Sequence, residues 1–208
     1  MIWSGTNQMS ENRINCINQF KEKSESEFLL VNPDNIDCFI VPSHPLHKAY
    51  MYLSETHKAD YLRFYLMYHH GGGYSDIKKT TGSWKQAFID LENSAYDVCG
   101  YPSIGFHGIA HPPSAPFWKE LIGPGAFIFK KGSILMKETL EDIEKRLDET
   151  YEELKLHPAT SPTDVKGSGS GYPLHWAEIC GAVFHKIVCK YKDRLLRTLP
   201  ISIFSNYR

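Results

Sequence analysis

The run "YHHGGGYSD", from Tyr68 to Asp76, puts three consecutive glycines between a helical pattern and a short β-like one. From about Ser54 to His70, Ala59, Leu62, Leu66 and Tyr65 or His69 fall on one inward stripe, so the spacing predicts a helix that Gly71 stops. "GYSDI" then reads as a strand. Asp60 and Arg63, three residues apart, share a neighbouring face of the helix, and Asp76 ends the strand. A carboxylate at the edge of an open α/β sheet stands where such folds place their ligands. Arg63 offers a fixed fork of donors for phosphate or hydroxyl oxygens, and Asp60 can accept sugar hydroxyls. The plainer reading of an Asp–Arg pair at this spacing is a weak salt bridge.

The rest of the chain alternates in the same way. "MIWSG" reads as strand, "ENRINCINQFKE" as helix, and "FLLV" and "DCFIV" as strands or loop edges bounded by Asn32, Pro33, Asp34 and Pro42. "GSWKQAFIDLENS" offers Ser83 as an N-cap, "DVCGY" and "GAFIF" are further strands, and one long helix is expected over 133–156. The alternation predicts an α/β sheet. Two irregular stretches, 103–116 and the glycine-rich 157–173, are long enough to suggest binding or lid roles. Helical spacing resumes in "LHWAEICGAVFHKIVCKY", where His175 and Glu178 form a three-apart pair at a helix start. His185 lies too far along that pattern to share a site with His175 unaided.

Composition sets the outer limits. The chain has 208 residues, 42% hydrophobic and 23% charged, with a formal charge of −1. These totals fit one soluble domain and give no basic excess to attract nucleic acid. Five scattered cysteines, never paired as C-x-x-C, suggest neither a zinc site nor a disulfide framework. Cys16, Cys38, Cys99 and Cys189 read as small buried hydrophobes. The absence of a long apolar run or a signal-peptide pattern sets the expectation of a cytoplasmic protein without a membrane segment. Apolar stretches close to both ends fit one domain of a longer protein.

The segment "ADYLRFYLMYHHGGGYSDIK" resembles the signature of DXD-type GT-A glycosyltransferases, a set that includes yeast-mannosyltransferase-like, capsular-polysaccharide and clostridial-toxin groups. "IWSG" resembles their first strand, and "IGPGAF" their central GPG turn. "GGGYSDIKKTTGSW" is similar to the N-terminal domain of chlorella-virus enzymes that build capsid glycans. The resemblance implies a single GT-A-like domain with a mixed central sheet of about six strands flanked by helices. It implies transfer of a hexose or deoxyhexose from a UDP-sugar to a glycan or glycoprotein hydroxyl, with retention. It assigns Trp3, Ser4, Gly5, Tyr74, Ser75, Asp76, Lys78 and Arg208 to the donor, and Asp60, Arg63 and Asp76 to catalysis. On the acceptor and sugar side it suggests Gly123, Pro124, Gly125, Tyr172, Trp176 and Glu178. An indole face suits stacking on uracil.

One position departs from the pattern. The second acid of D-x-D, which binds a divalent metal in the family, is Lys78 here, and a protonated lysine cannot ligate Mn²⁺ or Mg²⁺. Lys78 can replace the metal's charge, Asp76 can hold the metal with ligands from elsewhere, or Lys78 can point away in a domain that binds nucleotide without turnover. The second arrangement is the expectation, with Asp76 and His175 as ligands. The alternative function is a catalytically weak sugar-nucleotide or glycan-binding module.

Overall fold

Ser54 Oγ accepts the His57 N–H at 3.4 Å and opens the helix that the spacing predicts, a cap contributing about 1 kcal/mol. Gly71 closes it with φ 71° and an N–H bonded to Met67 O at 3.0 Å; a Cβ there would stand 2.7 Å from the Lys131 backbone nitrogen. Gly73 is small for another reason: a Cβ would meet the Trp84 ring at 2.9 Å. These contacts turn the chain from helix into strand within three residues.

The computed structural model describes residues 1–207, and Arg208, expected at the phosphates, lies outside the described residues. In chain order the elements are α1 (Glu11–Ser24), α2 (Glu55–His70), β1 (Gly72–Ser75), β2 (Lys79–Thr80), α3 (Lys85–Glu92) and β3 (Val98–Pro102). There follow β4 (Ile122–Phe129), α4 (Ile134–Glu149), α5 (Tyr151–Leu156), α6 (Gly181–Lys190), β5 (Leu195–Leu196) and β6 (Ser202–Ile203). A mixed sheet runs β1-β4-β3-β5, antiparallel except for the parallel β3–β5 pair, and β2 and β6 form a separate antiparallel ribbon.

The expected six-strand sheet is therefore four strands and a ribbon of two. "MIWSG" and "FLLV" form no ladder beyond a parallel bridge between Ile2 and Val31, and "DCFIV" begins as the 3-10 turn Ile36–Phe39. Asn35 Oδ1 takes the Asn32 N–H at 2.9 Å and Asn32 Oδ1 takes that of Asp34 at 3.0 Å. Such local side-chain bonds offer the backbone an alternative to a ladder. The long helix over 133–156 likewise divides at Thr150, whose Oγ1 donates to Arg146 O at 2.9 Å. Trp84, not Ser83, holds the cap position of α3.

β4 sorts its side chains by period 2. Phe127 and Phe129 enter the larger core with Phe64 of α2 and Phe184 of α6; Ala126 and Ile128 enter a smaller one with Trp84, Leu91 and Cys99. The Phe127 ring lies 6.0 Å from Phe64 and 5.3 Å from Phe184. This packing fixes α2 against the strand that will meet Arg63. All five cysteines are free, and Cys38 is exposed where burial was expected. Among the described residues no helix is long and apolar enough to cross a membrane.

Segment 157–173 is closed on Asp164. Its carboxylate accepts from Thr160 N–H at 2.9 Å, Thr160 Oγ1 at 3.0 Å, Ser170 Oγ at 2.8 Å and also Ser168 Oγ. The Ser168 bond, then the Thr160 and Ser170 bonds, hold its pKa well below the ordinary carboxylate range. A depressed folded pKa stabilises the loop above the unfolded value and loses that contribution as pH falls through the folded one. Asp164→Ala is expected to speed amide hydrogen exchange over 160–172 by about tenfold or more, with the sheet unaffected. Unchanged loop exchange would show that another contact anchors it.

Candidate functional site

Arg63 is the centre of the site because three elements converge on it. Its Nη2 lies 2.5 Å from Asp60 Oδ1, its Nη1 donates to Pro124 O of β4 at 3.0 Å, and Nη1 lies 3.3 Å from Asp76 Oδ1 beyond β1. The guanidinium also sits over the Tyr74 ring, 4.6 Å from its centroid. Arg63 is 7% exposed and Asp60 4%. A pair this enclosed is not the weak surface bridge that spacing alone suggests.

Asp76 is held from every side. Tyr74 OH donates to Oδ1 at 2.8 Å, Lys78 Nζ lies 2.6 Å from Oδ2, and the Asp76 N–H donates to Gly125 O at 2.7 Å. Gly125 lets that approach happen, since a Cβ would stand 3.1 Å from Asp76 Oδ2. At Gly123 a Cβ would collide with the Tyr101 ring at 2.1 Å. The glycines of "GPG" thus belong to strand β4, where they let β4 pass close to Asp76 and Tyr101. Lys78 Nζ also faces the Phe204 and Tyr207 rings, 4.9 Å from each centroid.

The two carboxylates have opposite environments. Burial pushes Asp60 above the ordinary range, with Arg63 offsetting part of that. Burial pushes Asp76 the same way, but Arg63 and Lys78 together outweigh it and hold the group below its ordinary value. Asp76 is therefore a stable anion and a poor base.

These residues line one cavity of about 1090 Å³, above the roughly 300–1,000 Å³ of ordinary small-molecule sites. Trp3, Ser4, Gly5, Asp60, Arg63, Tyr74, Asp76, Lys78, Gly123, Pro124, Gly125 and Trp176 all lie on its wall. Ser4 is fixed by its Oγ donating to Glu55 O at 2.7 Å, and the Trp3 indole by Nε1 donating to Asn7 O at 3.0 Å. Ser75 faces away, into a separate apolar cavity between Phe20, Phe28, Leu66 and Trp84, while its Oγ donates to Asp76 O at 2.8 Å.

Tyr172, His175 and Glu178 do not line the large cavity. Tyr172 stacks on His57 and donates to its Nδ1 at 2.9 Å, His57 Nε2 donates to His175 O at 3.1 Å, and Ser54 N–H donates to Tyr172 OH at 3.3 Å. This chain of bonds ties the glycine-rich segment to the start of α2. Glu178 Oε2 accepts the His175 N–H at 2.7 Å and its Oε1 pairs with Arg146 at 3.0 Å. Residues 176–180 form turns, and α6 begins only at Gly181. The chain turns there because the Glu178 side chain caps the turn instead of extending from a helix.

Asp76 and His175 therefore do not fit a shared metal. Among the described residues, no three His, Cys, Asp or Glu side chains are grouped to hold an ion. Both oxygens of Asp76 already face cationic or hydroxyl donors, and a divalent ion would compete with Lys78 for Oδ2.

The cavity also contains residues to which the sequence reading gives no place in the site. Arg13 of α1 donates to Ile77 O at 3.1 Å and lies 5.2 Å from the Tyr207 ring centroid. Glu55, Cys180 and His185 share the wall. Arg13 and Glu55 carry no local signal, since only the fold brings them to the cavity wall.

No curated protein and no solved structure gives a significant match to the chain. Residues 4–81 hold Ser4, Asp60, Arg63 and Asp76, and Lys78 where the family's second acid would stand; they match the family described as glycosyltransferase sugar-binding region containing DXD motif, which supports a DXD-type glycosyltransferase.

Proposed function

We propose that the protein transfers a hexose or deoxyhexose from a UDP-sugar to a glycan hydroxyl, with retention of anomeric configuration. The observation that carries this reading is the convergence of Asp60, Arg63, Asp76 and Lys78 with Trp3 and the Gly123–Gly125 strand in one cavity. Trp3 supplies an aromatic face for uracil, and Asp60 a carboxylate for sugar hydroxyls.

In the reaction the bond from the anomeric carbon to the diphosphate oxygen breaks. The acceptor oxygen bonds to that carbon, and its proton passes to the departing diphosphate. Negative charge grows on the leaving group, so the catalytic task is to hold fixed cations there. Arg63, locked by Asp60, Pro124 O and Asp76, and Lys78, locked by Asp76, are such cations. Asp76 and His175 do not fit a metal, so the fixed positive charge is that of these two side chains. The ion pairs that tie Asp76 to Lys78 and Asp60 to Arg63 leave neither carboxylate as an evident base for the acceptor, which supports the retaining reading.

Calorimetry with UDP and a UDP-sugar panel assayed for UDP release test this. We expect binding of UDP, release from at least one UDP-hexose, and about a 10²-fold slower release for Asp60→Asn. Lys78's grip on Asp76 favours a second reading, a sugar-nucleotide-binding module. Binding without release from any donor would establish that reading, and no uridine-nucleotide binding at all would overturn both.

A further inference from the structure

His185 on α6 is 1% exposed, yet its ring lies on the wall of the large cavity beside Ala110, Ala177, Cys180 and Gly181. Its Nδ1 accepts the Ala110 backbone N–H at 3.1 Å. A ring nitrogen that accepts carries no proton, so in the neutral imidazole the hydrogen sits on Nε2. Burial lowers the pKa to about 4, which keeps the ring neutral at physiological pH. Among the described residues Nε2 has no hydrogen-bond partner.

A buried N–H without an acceptor is a standing cost, relieved only if something else supplies the oxygen. The surrounding wall is made of small residues. A Cβ at Gly108 would meet nothing within 4 Å, and one at Gly181 would lie 3.0 Å from the Ala110 methyl. Its neighbours also fix which end of the cavity it serves. The Cys180 thiol is near enough to Asp60 to act on its carboxyl, and both line the same cavity as His185, the wall of the proposed sugar carboxylate. The ammonium of Lys78 lies against the Phe204 and Tyr207 rings.

We propose that His185 Nε2–H donates a hydrogen bond to a hydroxyl oxygen of the transferred sugar and helps determine which sugar is accepted. The inference rests on the UDP-sugar reading. A site built to hydrogen-bond a substrate hydroxyl discriminates strongly against analogues lacking it, because the buried donor is then left unpaired.

The test compares UDP with whichever of UDP-glucose, UDP-galactose and UDP-xylose the wild-type protein binds tightest. His185→Leu is expected to weaken the sugar nucleotide about tenfold and leave UDP unchanged. His185→Gln, which keeps an N–H donor, is expected to recover most of the difference. In the wild-type protein the Nε2–H proton resonance should move on adding the sugar nucleotide and stay in place with UDP, a readout independent of whether the leucine variant folds. Equal losses for UDP and sugar nucleotide, no loss at all, a resonance indifferent to the sugar, or a wild-type protein that binds no sugar nucleotide more tightly than UDP would each overturn the proposal. Failure of wild-type protein to bind UDP would instead remove the function it rests on.

Discussion

Arg63→Met is expected to abolish sugar transfer and to cost about 3–5 kcal/mol of folding stability at neutral pH. The size follows from what the guanidinium leaves behind. Asp60 stays enclosed with His57, Cys180 and the like-charged Asp76 acting on it, Asp76 keeps Lys78 and Tyr74, and Pro124 O loses its donor. Burial already raises Asp60 above its ordinary pKa, and without Arg63 it rises further. A carboxyl whose folded pKa exceeds its unfolded one stabilises the native state below the unfolded value and loses that contribution as pH rises through the folded one. The variant's deficit should therefore be largest near pH 8 and shrink towards pH 4. Thermal melts of both proteins across that range check it. A deficit independent of pH would mean that the loss is packing around the Tyr74 ring and not buried charge. Arg63→Lys keeps a charge but cannot reach Asp60, Pro124 O and Asp76 together, so it should retain more stability while still losing activity.

The same residues show what could be read in the sequence. Ser54, Gly71 and the stripe between them define α2 almost to the residue, because capping and glycine geometry are local. Asp60, Arg63 and Asp76 could be placed together because one helix, one glycine turn and one strand separate them. Reading failed where tertiary context decides. "DCFIV" has the apolar content of a strand, yet Asn32 and Asn35 fold it into a turn. Apolar runs this short do not distinguish the two. His185 was excluded on the assumption of one continuous helix from His175, whereas α6 starts at Gly181 and the preceding turns carry His175 away from the cavity. The resemblance puts Tyr172 on the sugar side, and in the structure it anchors the glycine-rich loop to His57, a contact that only the fold creates.

Lys78→Asp, which restores the second acid of the family motif, is expected to raise affinity for Mn²⁺ at least about tenfold in the presence of UDP. The change removes an ammonium 2.6 Å from Asp76 Oδ2 and adds a carboxylate, a swing of two charges beside the ion's place. A unit charge about 5 Å away at an effective dielectric near 20 is worth roughly 3 kcal/mol, so even a well-screened fraction gives the expected gain. Without the ion, the variant sets two carboxylates side by side. It also loses the contacts of Lys78 with the Phe204 and Tyr207 rings, so it should melt lower than wild type and recover when Mn²⁺ is added. Lys78→Ala separates the two effects, since it frees Asp76 without supplying a ligand. Were the aspartate variant to bind Mn²⁺ no better than wild type, the charge of Lys78 would not be what keeps an ion from Asp76. A gain in the aspartate variant alone would place the missing ligand at position 78, and a gain in both variants would show that the ammonium itself is the barrier.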